Sequence, residues 1–309
     1  MWAYDDARAA MRDAMRLSRA MTFKAAVADL ELGGGKGVIM LPLGRRLTAE
    51  RRHEALLDFA DTVDALGGRY ITAEDVGTSS RDMRVIARGT RHVVGLSRAQ
   101  GGSGDPSPMT AVGVHIAIQT CCERVFGSPS LRNRSLCVIG LGHVGSRVAK
   151  LCARAGAKLA VADVDPSKRG LADQLGARWV DPERALESPF DVLVPCALGG
   201  ILNDETVLRL QCPIIAGAAN NQLADDDIAD VLAARGVLWA PDFVVNAGGL
   251  INVAEELRGY DPAAVRRRVR GIADTLRTIF DNADAIGATP LTAATELARR
   301  RLATERVGT

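Results

Sequence analysis

The chain has 309 residues, 47% of them hydrophobic and 25% charged, with a formal net charge of +2. That length exceeds one comfortable core and predicts two domains, while the near-neutral balance excludes a nucleic-acid partner held by bulk charge. The Arg266-Arg267-Arg268 and Arg299-Arg300-Arg301 runs read as solvated helix faces rather than a basic stripe.

Two further exclusions follow from residue usage. No apolar run reaches membrane-spanning length and no secretory leader pattern opens the chain, so no membrane association is expected. The six cysteines form no CxxC pair and several lie in apolar runs, which predicts reduced core thiols and a cytoplasmic protein. The four histidines lack metal-ligand spacing, so no metal is expected.

In chain order, Asp5 to Ala20 place Ala7, Ala10, Met11, Ala14 and Leu17 at helical spacing. Met21-Thr22-Phe23-Lys24 follows, then Gly33-Gly34-Gly35-Lys36 and a strand-like run over 37–41. Consecutive glycines cost chain entropy, and the reason expected here is close backbone approach to a ligand, with Lys36 held beside it. Thr48 to Leu66 predicts a helix capped by Thr48 and stopped by Gly67-Gly68. Residues 70–78 read as a strand running into a polar turn, with Asp75 at the strand end. Gly101 to Pro108 is the strongest loop signal and is taken as the domain boundary; Thr110 then opens a long helical stretch.

The segment from Cys137 to Asp163 organises the second half. An apolar run, Leu136 to Ile139, enters Gly140-Leu141-Gly142-His143-Val144-Gly145, followed by a helical pattern and a second apolar run closed by Asp163. This is the strand, glycine turn, helix and strand of a dinucleotide-binding unit. Gly140 permits the turn, Gly142 removes a side chain that would meet a pyrophosphate, and Gly145 lets helix and strand approach. The anion is then expected on the helix N-terminus. The His143 side chain is expected to point away. Asp163, eighteen residues past Gly145, suits the ribose diol, and Asp165 adds a second carboxylate that a 2′-phosphate would meet. NAD is therefore expected over NADP.

Strands are predicted near Arg178 to Val180, Asp191 to Val194, Pro213 to Ala216 and Val237 to Ala240, alternating with helices, which predicts an α/β doubly wound parallel sheet. Ligands bind beyond the carboxyl ends of such strands, where Pro195-Cys196-Ala197, Gly217-Ala218-Ala219-Asn220-Asn221 and Asn246-Ala247-Gly248-Gly249 fall. The expected organisation is a smaller α/β substrate domain over 1–105, an NAD-binding (Rossmann) domain over 106–284, and a C-terminal helix over 285–309 packing back on the first domain.

Taken together, MTFKAAVADLELGGGKGVI (21–39), YITAEDVGT (70–78), GDPSPMTAVGV (104–114), GLGHVG (140–145), PCALGG (195–200), AGAANNQL (216–223) and APDFVVNAGGLINVAEEL (240–257) resemble the Glu/Leu/Phe/Val dehydrogenase family, most closely its leucine and phenylalanine branch. The resemblance implies reversible, NAD-dependent oxidative deamination of an L-amino acid to its 2-oxo acid and ammonia by a homo-oligomer. It assigns Lys24 to the substrate carboxylate, Lys36 to the general base that activates water, and Asp75 to the proton on the amino nitrogen. Met21 and Ala73 would line the substrate side, and Asn246 would orient substrate and nicotinamide. Thr110 would hold the carboxamide, with Gly140, Gly142, His143, Val144, Gly145, Asp163, Cys196, Ala197 and Asn220 along the rest of NAD.

The chemistry is self-consistent. Hydride leaves Cα only from a neutral amine, so a carboxylate is needed at nitrogen; a lysine deprotonates water near neutral pH only if burial and a neighbouring cation, here Lys24, lower its pKa. Taken singly, Lys24 also reads as a solvated helix-end lysine, Asp75 as a turn residue, and Asn246 and Thr110 as helix caps. Cys196 has no histidine nearby in sequence to make it a nucleophile.

With no basic residue beyond Lys24 and Lys36 in the matching pocket segments, an apolar substrate is expected over glutamate. Ala73, in place of glycine, favours leucine or valine over a phenylalanine-type ring. Family members carry strands ahead of the region matching Met1-Trp2. Either the natural start lies upstream, or the substrate domain is N-terminally shortened, leaving a sheet edge to cover. In that case an NAD-binding member without turnover is the alternative.

Overall fold

A computed structural model describes residues 1–305 except 42, 45 and 46, and the backbone alone of Glu305. The residues over 306–309, part of the expected C-terminal segment, lie outside the described residues. The chain divides into two compact units, Met1–Pro106 with Leu250–Val265, and Ser107–Gly249 with Arg266–Thr309.

The first unit opens with β1 (Trp2–Ala3), α1 (Ala7–Val27), β2 (Met40–Leu41), α2 (Ala49–Ala65) and α3 (Ser80–Ile86). β1 and β2 form a parallel pair with Trp2 opposite Met40 and Ala3 opposite Leu41. Asp6 caps α1 by accepting from Ala9 N at 2.6 Å. The helix runs past the expected end at Ala20 because no glycine or proline interrupts Met21 to Val27 and Ala25, Ala26 and Val27 bury its last turn. Asp29, with φ +54°, then ends the helical path. Lys24 thereby stands in the last turn, where a cation complements the helix dipole. Thr48 caps α2 as expected, accepting from Arg51 N at 3.2 Å. Leu56, Ala60, Met83, Ile86 and Val93 form the apolar centre of this unit.

Two expectations change here. The strand predicted over 37–41 is reduced to Met40–Leu41, and the strand predicted before Asp75 is a single bridge between Thr72 and Val93. The polar run Glu74-Asp75-Val76-Gly77-Thr78 supplies a hydrogen-bonded turn instead. Thr78 N donates to Asp75 O at 2.8 Å and Asp75 N to Thr78 Oγ1 at 3.0 Å.

The second unit begins with α4 (Ser107–Phe126), then β3 (Ser135–Ile139), α5 (Gly145–Arg154), β4 (Lys158–Ala162), α6 (Arg169–Leu175), β5 (Arg178–Trp179), α7 (Pro182–Ala185) and β6 (Val192–Pro195). It continues through α8 (Asp204–Arg209), β7 (Ile214–Ile215), α9 (Ile228–Ala234), β8 (Leu238–Trp239) and α10 (Asp242–Val245), while α11 (Gly248–Ala254) passes from the second unit into the segment Leu250–Val265 of the first. After α12 (Pro262–Arg270), α13 (Ile272–Ile286) and α14 (Pro290–Glu305) close the chain. The strands form one parallel sheet in the order β5-β4-β3-β6-β7-β8. Counted from β3, this is the 3-2-1-4-5-6 order of doubly wound dinucleotide-binding folds.

The sheet is parallel because each strand returns through a helix, and right-handed crossovers put the helices of its two halves on opposite faces. Both faces are therefore covered. Leu136, Cys137 and Val138 of β3 and Val192, Leu193 and Val194 of β6 are buried, each apolar side chain contributing about 1.5–3 kcal/mol. The direction of travel reverses between β3 and β6. A crevice opens at the carboxyl ends of those two strands, where the glycine motif and Pro195-Cys196-Ala197 emerge.

The last helix, expected to pack back on the first domain, belongs to the second unit and packs on α13; the part of the C-terminal region grouped with the first unit is Leu250–Val265. Periodicity along α14 shows that it is amphipathic but not which apolar surface it covers. No helix among the described residues is long and apolar enough to cross a membrane.

Candidate active site

In the first unit, the loop carrying Lys36 is built against its own unit rather than left open for a ligand. A Cβ on Gly34 would lie 2.2 Å from Thr22 N and 2.4 Å from Ser18 O, so this glycine lets the loop lie on the α1 backbone. Ser18 Oγ donates to Gly34 O at 2.9 Å and fixes that approach. A Cβ on Gly35 would lie 2.6 Å from the Tyr70 ring, and one on Gly37 would lie 2.5 Å from Phe59 and 3.1 Å from Tyr70 Oη. Lys36 is thus flanked by two glycines that both rest on Tyr70. Among Gly33, Gly34, Gly35 and Gly37, Gly33 alone has no atom within 4 Å of an added Cβ. The expected reason for the consecutive glycines, ligand approach, is corrected for Gly34 and Gly35: packing is the reason, and it holds for Gly37 as well. Gly34→Ala is accordingly expected to lower stability by more than about 2 kcal/mol, because its neighbours are backbone atoms that cannot move aside. Thermal unfolding within about 0.5 kcal/mol of wild type would exclude this packing role.

Lys36 Nζ is in contact with Asp75 Oδ2; the lysine side chain is 19% exposed and the aspartate 53%. Burial holds the Lys36 amine below the ordinary lysine range, opposed by the Asp13 carboxylate. The Asp75 carboxylate also favours the ammonium. Burial, rather than the neighbouring cation expected in Lys24, is the largest cause of the shift. Asp13 is itself kept ionised, first by a hydrogen bond from Tyr4 Oη at 2.5 Å, then by Arg16 at 3.0 Å. Asp75 Oδ1 accepts from Val76 N at 2.7 Å, so one oxygen holds the turn while the other meets Lys36. The turn reading and the reactive reading of Asp75 are therefore compatible. Lys24 and Met21 sit half-buried on α1, and Ala73 is exposed beside the Thr72 bridge.

In the second unit, the glycine loop closes over the sheet crevice. A Cβ on Gly145 would fall 1.9 Å from Gly140 O and 3.0 Å from Cys196 Cβ; one on Gly140, whose φ is +96°, would fall 2.8 Å from Ala197 Cβ. Gly142 has nothing within 4 Å, a space free for a bound group. Asp163 Oδ2 accepts from Leu141 N at 2.6 Å and Oδ1 from Asp165 N at 2.8 Å, which sets the carboxylate under the loop. Hydrogen bonding by the Ser167 side chain, and then by Ser167 N at 2.9 Å, holds the Asp165 carboxyl below the usual range. His143 is exposed and Val144 half-buried. Burial pushes the Cys196 thiol up to about 12, which removes it as a nucleophile.

At the neighbouring strand ends, Asn246 Nδ2 donates to Ala218 O at 3.0 Å and to Asn220 Oδ1 at 2.7 Å. Its own Oδ1 is buried without a partner among the described residues, a position an amide donor of a carboxamide would satisfy. A Cβ on Gly248 would meet Met109 O at 2.2 Å and Thr110 N at 3.2 Å, so the Asn246 turn lies against the start of α4. A nicotinamide dinucleotide fits these residues: an open glycine under the phosphates, an orphan acceptor at the carboxamide end, a carboxylate at the ribose end.

Several residues that shape these groups were not singled out from sequence. Gln222, fully buried, donates to Gly217 O and Ala219 O at 2.9 and 3.1 Å, accepts from Trp239 Nε1 at 3.1 Å, and so supports the turn bearing Asn220. Tyr70, Asp13 and Tyr4 act through neighbours distant in sequence, and no spacing rule marks them.

A doubly wound sheet with this loop at its switch point, carried by a chain that also pairs a half-buried lysine with an aspartate, defines a nicotinamide-dependent dehydrogenase. Comparison with known proteins narrows the class. The profile described as Glu/Leu/Phe/Val dehydrogenase, dimerisation domain, matches residues 4–92, and that of glutamate/leucine/phenylalanine/valine dehydrogenase matches residues 167–307. The NAD-binding domain of D-isomer specific 2-hydroxyacid dehydrogenases matches residues 119–206. The chain is 43% identical to leucine dehydrogenase of Thermoactinomyces intermedius over 98% of its own length and 82% of that protein's. It is 43% identical to L-tryptophan dehydrogenase of Nostoc punctiforme, over 97% of its length and 83% of the relative's. The crystal structure of L-tryptophan dehydrogenase from Nostoc punctiforme superposes with a TM-score of 0.85 at 38% identity, covering 99% of this chain and 87% of that one. The chain belongs to the Glu/Leu/Phe/Val dehydrogenase family and is an amino-acid dehydrogenase, an oxidoreductase acting on CH-NH2 donors.

Proposed function

We propose that the protein catalyses the reversible, NAD-dependent oxidative deamination of an apolar L-amino acid, with leucine or valine preferred, to the 2-oxo acid and ammonia. The observation that carries this reading is the half-buried Lys36 amine against the Asp75 carboxylate, on a loop whose glycines leave the lysine little freedom.

Lys24 holds the substrate carboxylate, and Met21 and Ala73 line its side chain. Asp75 takes the proton from the substrate ammonium, so the lone pair on nitrogen assists departure of hydride from Cα. Bound NAD supplies the hydride acceptor, held by Thr110 and Asn246 at the nicotinamide and by Gly140, Gly142, Gly145, Asp163, Cys196, Ala197 and Asn220 elsewhere. Neutral Lys36 then removes a proton from the water that attacks the iminium carbon. Protonated Asp75 gives its proton to the nitrogen of the tetrahedral adduct, and Lys36 hands the water proton to Asp75 through their contact. The Lys36 amine, neutral again, takes the hydroxyl proton as the C–N bond breaks to leave the oxo acid and ammonia.

The relatives support an apolar substrate: leucine, tryptophan and valine dehydrogenases match over 97% or more of the chain at 40–43% identity. Ala73 tips the preference toward branched aliphatic chains by about 1–3 kcal/mol, the usual scale for a methyl in a pocket. A tryptophan-type specificity is the second reading, favoured by the 43% identity shared with the Nostoc enzyme. Steady-state NADH formation with leucine, valine, phenylalanine and tryptophan decides between them. NAD binding without turnover on any amino acid would overturn the catalytic reading. An oligomer is supported by the dimerisation-domain profile over 4–92 and by a hetero-hexameric glutamate dehydrogenase from Thermus thermophilus, 25% identical with a TM-score of 0.79, and a homo-oligomer is the form proposed here. A cytoplasmic location is supported by six free cysteines, five of them buried.

The base role has a pH signature. A lysine with a lowered pKa is active once deprotonated, so kcat/KM is expected to rise with pH along a limb centred below the ordinary value of 10.5. Asp13 favours the ammonium, so Asp13→Asn is expected to move that limb to lower pH. A pH profile unchanged by the substitution would remove Asp13 from the electrostatics of Lys36. For the cofactor, Asp163→Ser combined with Val164→Arg is expected to shift preference toward NADP, read as the ratio of kcat/KM for the two dinucleotides. Equal use of both by the wild type would contradict the role given to Asp163 and Asp165.

A further inference from the structure

We infer that Arg52 and Asp82 are positioning residues for the reaction, holding the Asp75 turn so that its carboxylate meets Lys36. The inference rests on the catalytic reading of Asp75 given above. Arg52 stands on α2 and Asp82 on α3, thirty residues apart, and neither belongs to a motif that the chemistry had absorbed.

Their geometry is that of a built clamp. Arg52 Nε donates to Asp82 Oδ1 at 3.0 Å and Nη2 to Oδ2 at 2.8 Å, the bidentate arrangement that fixes both planes. Nη2 also donates to Gly77 O at 2.8 Å, inside the turn that bears Asp75. Asp82 Oδ2 further accepts from Ser79 N and Ser79 Oγ, both at 2.8 Å, where the turn passes into α3. Asp82 is 7% exposed and its charge is met from every direction. The turn is therefore tied at its far side to two helices through Gly77 and Ser79, and at its near side to Thr78 and Val76 by Asp75 itself.

This arrangement matters because Asp75 is half exposed and has little packing of its own. Backbone held at Gly77 and Ser79 leaves the carboxylate one place to stand. A displacement of about 1 Å at a reacting group is enough to cost up to about 100-fold in rate. Lysine at position 52 reaches one carboxylate oxygen or the Gly77 carbonyl but not both, since it lacks the planar fork.

The test measures kcat and both KM values on full-length protein, with circular dichroism and thermal unfolding to confirm folding, for Arg52→Met, Arg52→Lys, Asp82→Asn, Asp75→Ala and the Arg52→Met/Asp75→Ala double variant. The expected result is a loss of about 30-fold in kcat for Arg52→Met and Asp82→Asn, with KM for leucine and NAD within about 3-fold and partial recovery in Arg52→Lys. In the Asp75→Ala background, Arg52→Met is expected to cause no further loss, because the carboxylate it positions is gone. If Arg52→Met does not fold, Arg52→Lys and Asp82→Asn, each combined with Asp75→Ala, carry the same comparison. Wild-type kcat in these variants while Asp75→Ala is inactive, or losses that add fully in the double variant, would overturn the positioning role and leave the catalytic reading standing. Near-normal turnover in Asp75→Ala would overturn that reading instead.

Discussion

Lys36→Ala is expected to lower kcat by about 10³-fold or more while NAD affinity stays within a few-fold of wild type. The lysine belongs to the first unit, and the glycine loop, Asp163 and Asn246 proposed to hold NAD belong to the second, so the substitution alters none of the residues given that role. The fold tolerates the change as well. Lys36 is half-buried, and its loss relieves the cost of holding an ammonium away from water; Asp75, 53% exposed, is left in solvent rather than stranded. Stopped-flow hydride transfer, steady-state turnover and NAD titration together check the outcome. Exogenous methylamine is expected to restore part of the rate to Lys36→Ala by supplying the missing base. A variant that turns over near the normal rate would remove Lys36 from the mechanism.

The second large effect separates two glycines of one loop. A Cβ placed on Gly142 would have no protein atom within 4 Å, and this glycine does not lie at positive φ, so Gly142→Ala is expected to leave unfolding stability within about 0.5 kcal/mol. The new methyl points into open space that the proposed dinucleotide site gives to the phosphates. NAD affinity should fall about 10- to 100-fold, equivalent to the 1–3 kcal/mol of a forced close contact. Gly140→Ala behaves differently. Its φ is +96° and its Cβ would meet Ala197 N and Cβ at 2.8 Å, so stability and NAD affinity fall together. Calorimetric unfolding alongside isothermal titration distinguishes the two. Equal stability losses in both variants would mean that Gly142 serves the fold rather than the ligand.

Motifs in which the chemistry depends on local spacing were legible from the amino-acid order. The strand, glycine turn and helix over 135–154 are contiguous, and a parallel sheet follows from alternating strands and helices. Lys36 and Asp75 stand out because each belongs to a compact motif. The reason for the GGGK glycines was not legible, because their packing partners Ser18, Thr22, Phe59 and Tyr70 come from other segments. The same holds for the extent of α1 and the missing strand before Asp75. Local pattern sets a propensity, and burial of Ala25, Ala26 and Val27 or closure of a turn by Thr78 then decides it.

Sequence by itself determined the family, the alternation of strands and helices in the second unit, and the candidate residues for substrate and dinucleotide, since these rest on short-range patterns that chain connectivity preserves. Tertiary structure alone decided that burial lowers the Lys36 pKa with Asp13 opposing, that Leu250–Val265 rather than the last helix groups with the first unit, and that Arg52 and Asp82 tie down the Asp75 turn. Each of these depends on contacts between residues tens to hundreds of positions apart. Desolvation and Coulomb energy vary with distance in space, and distance along the chain does not encode it.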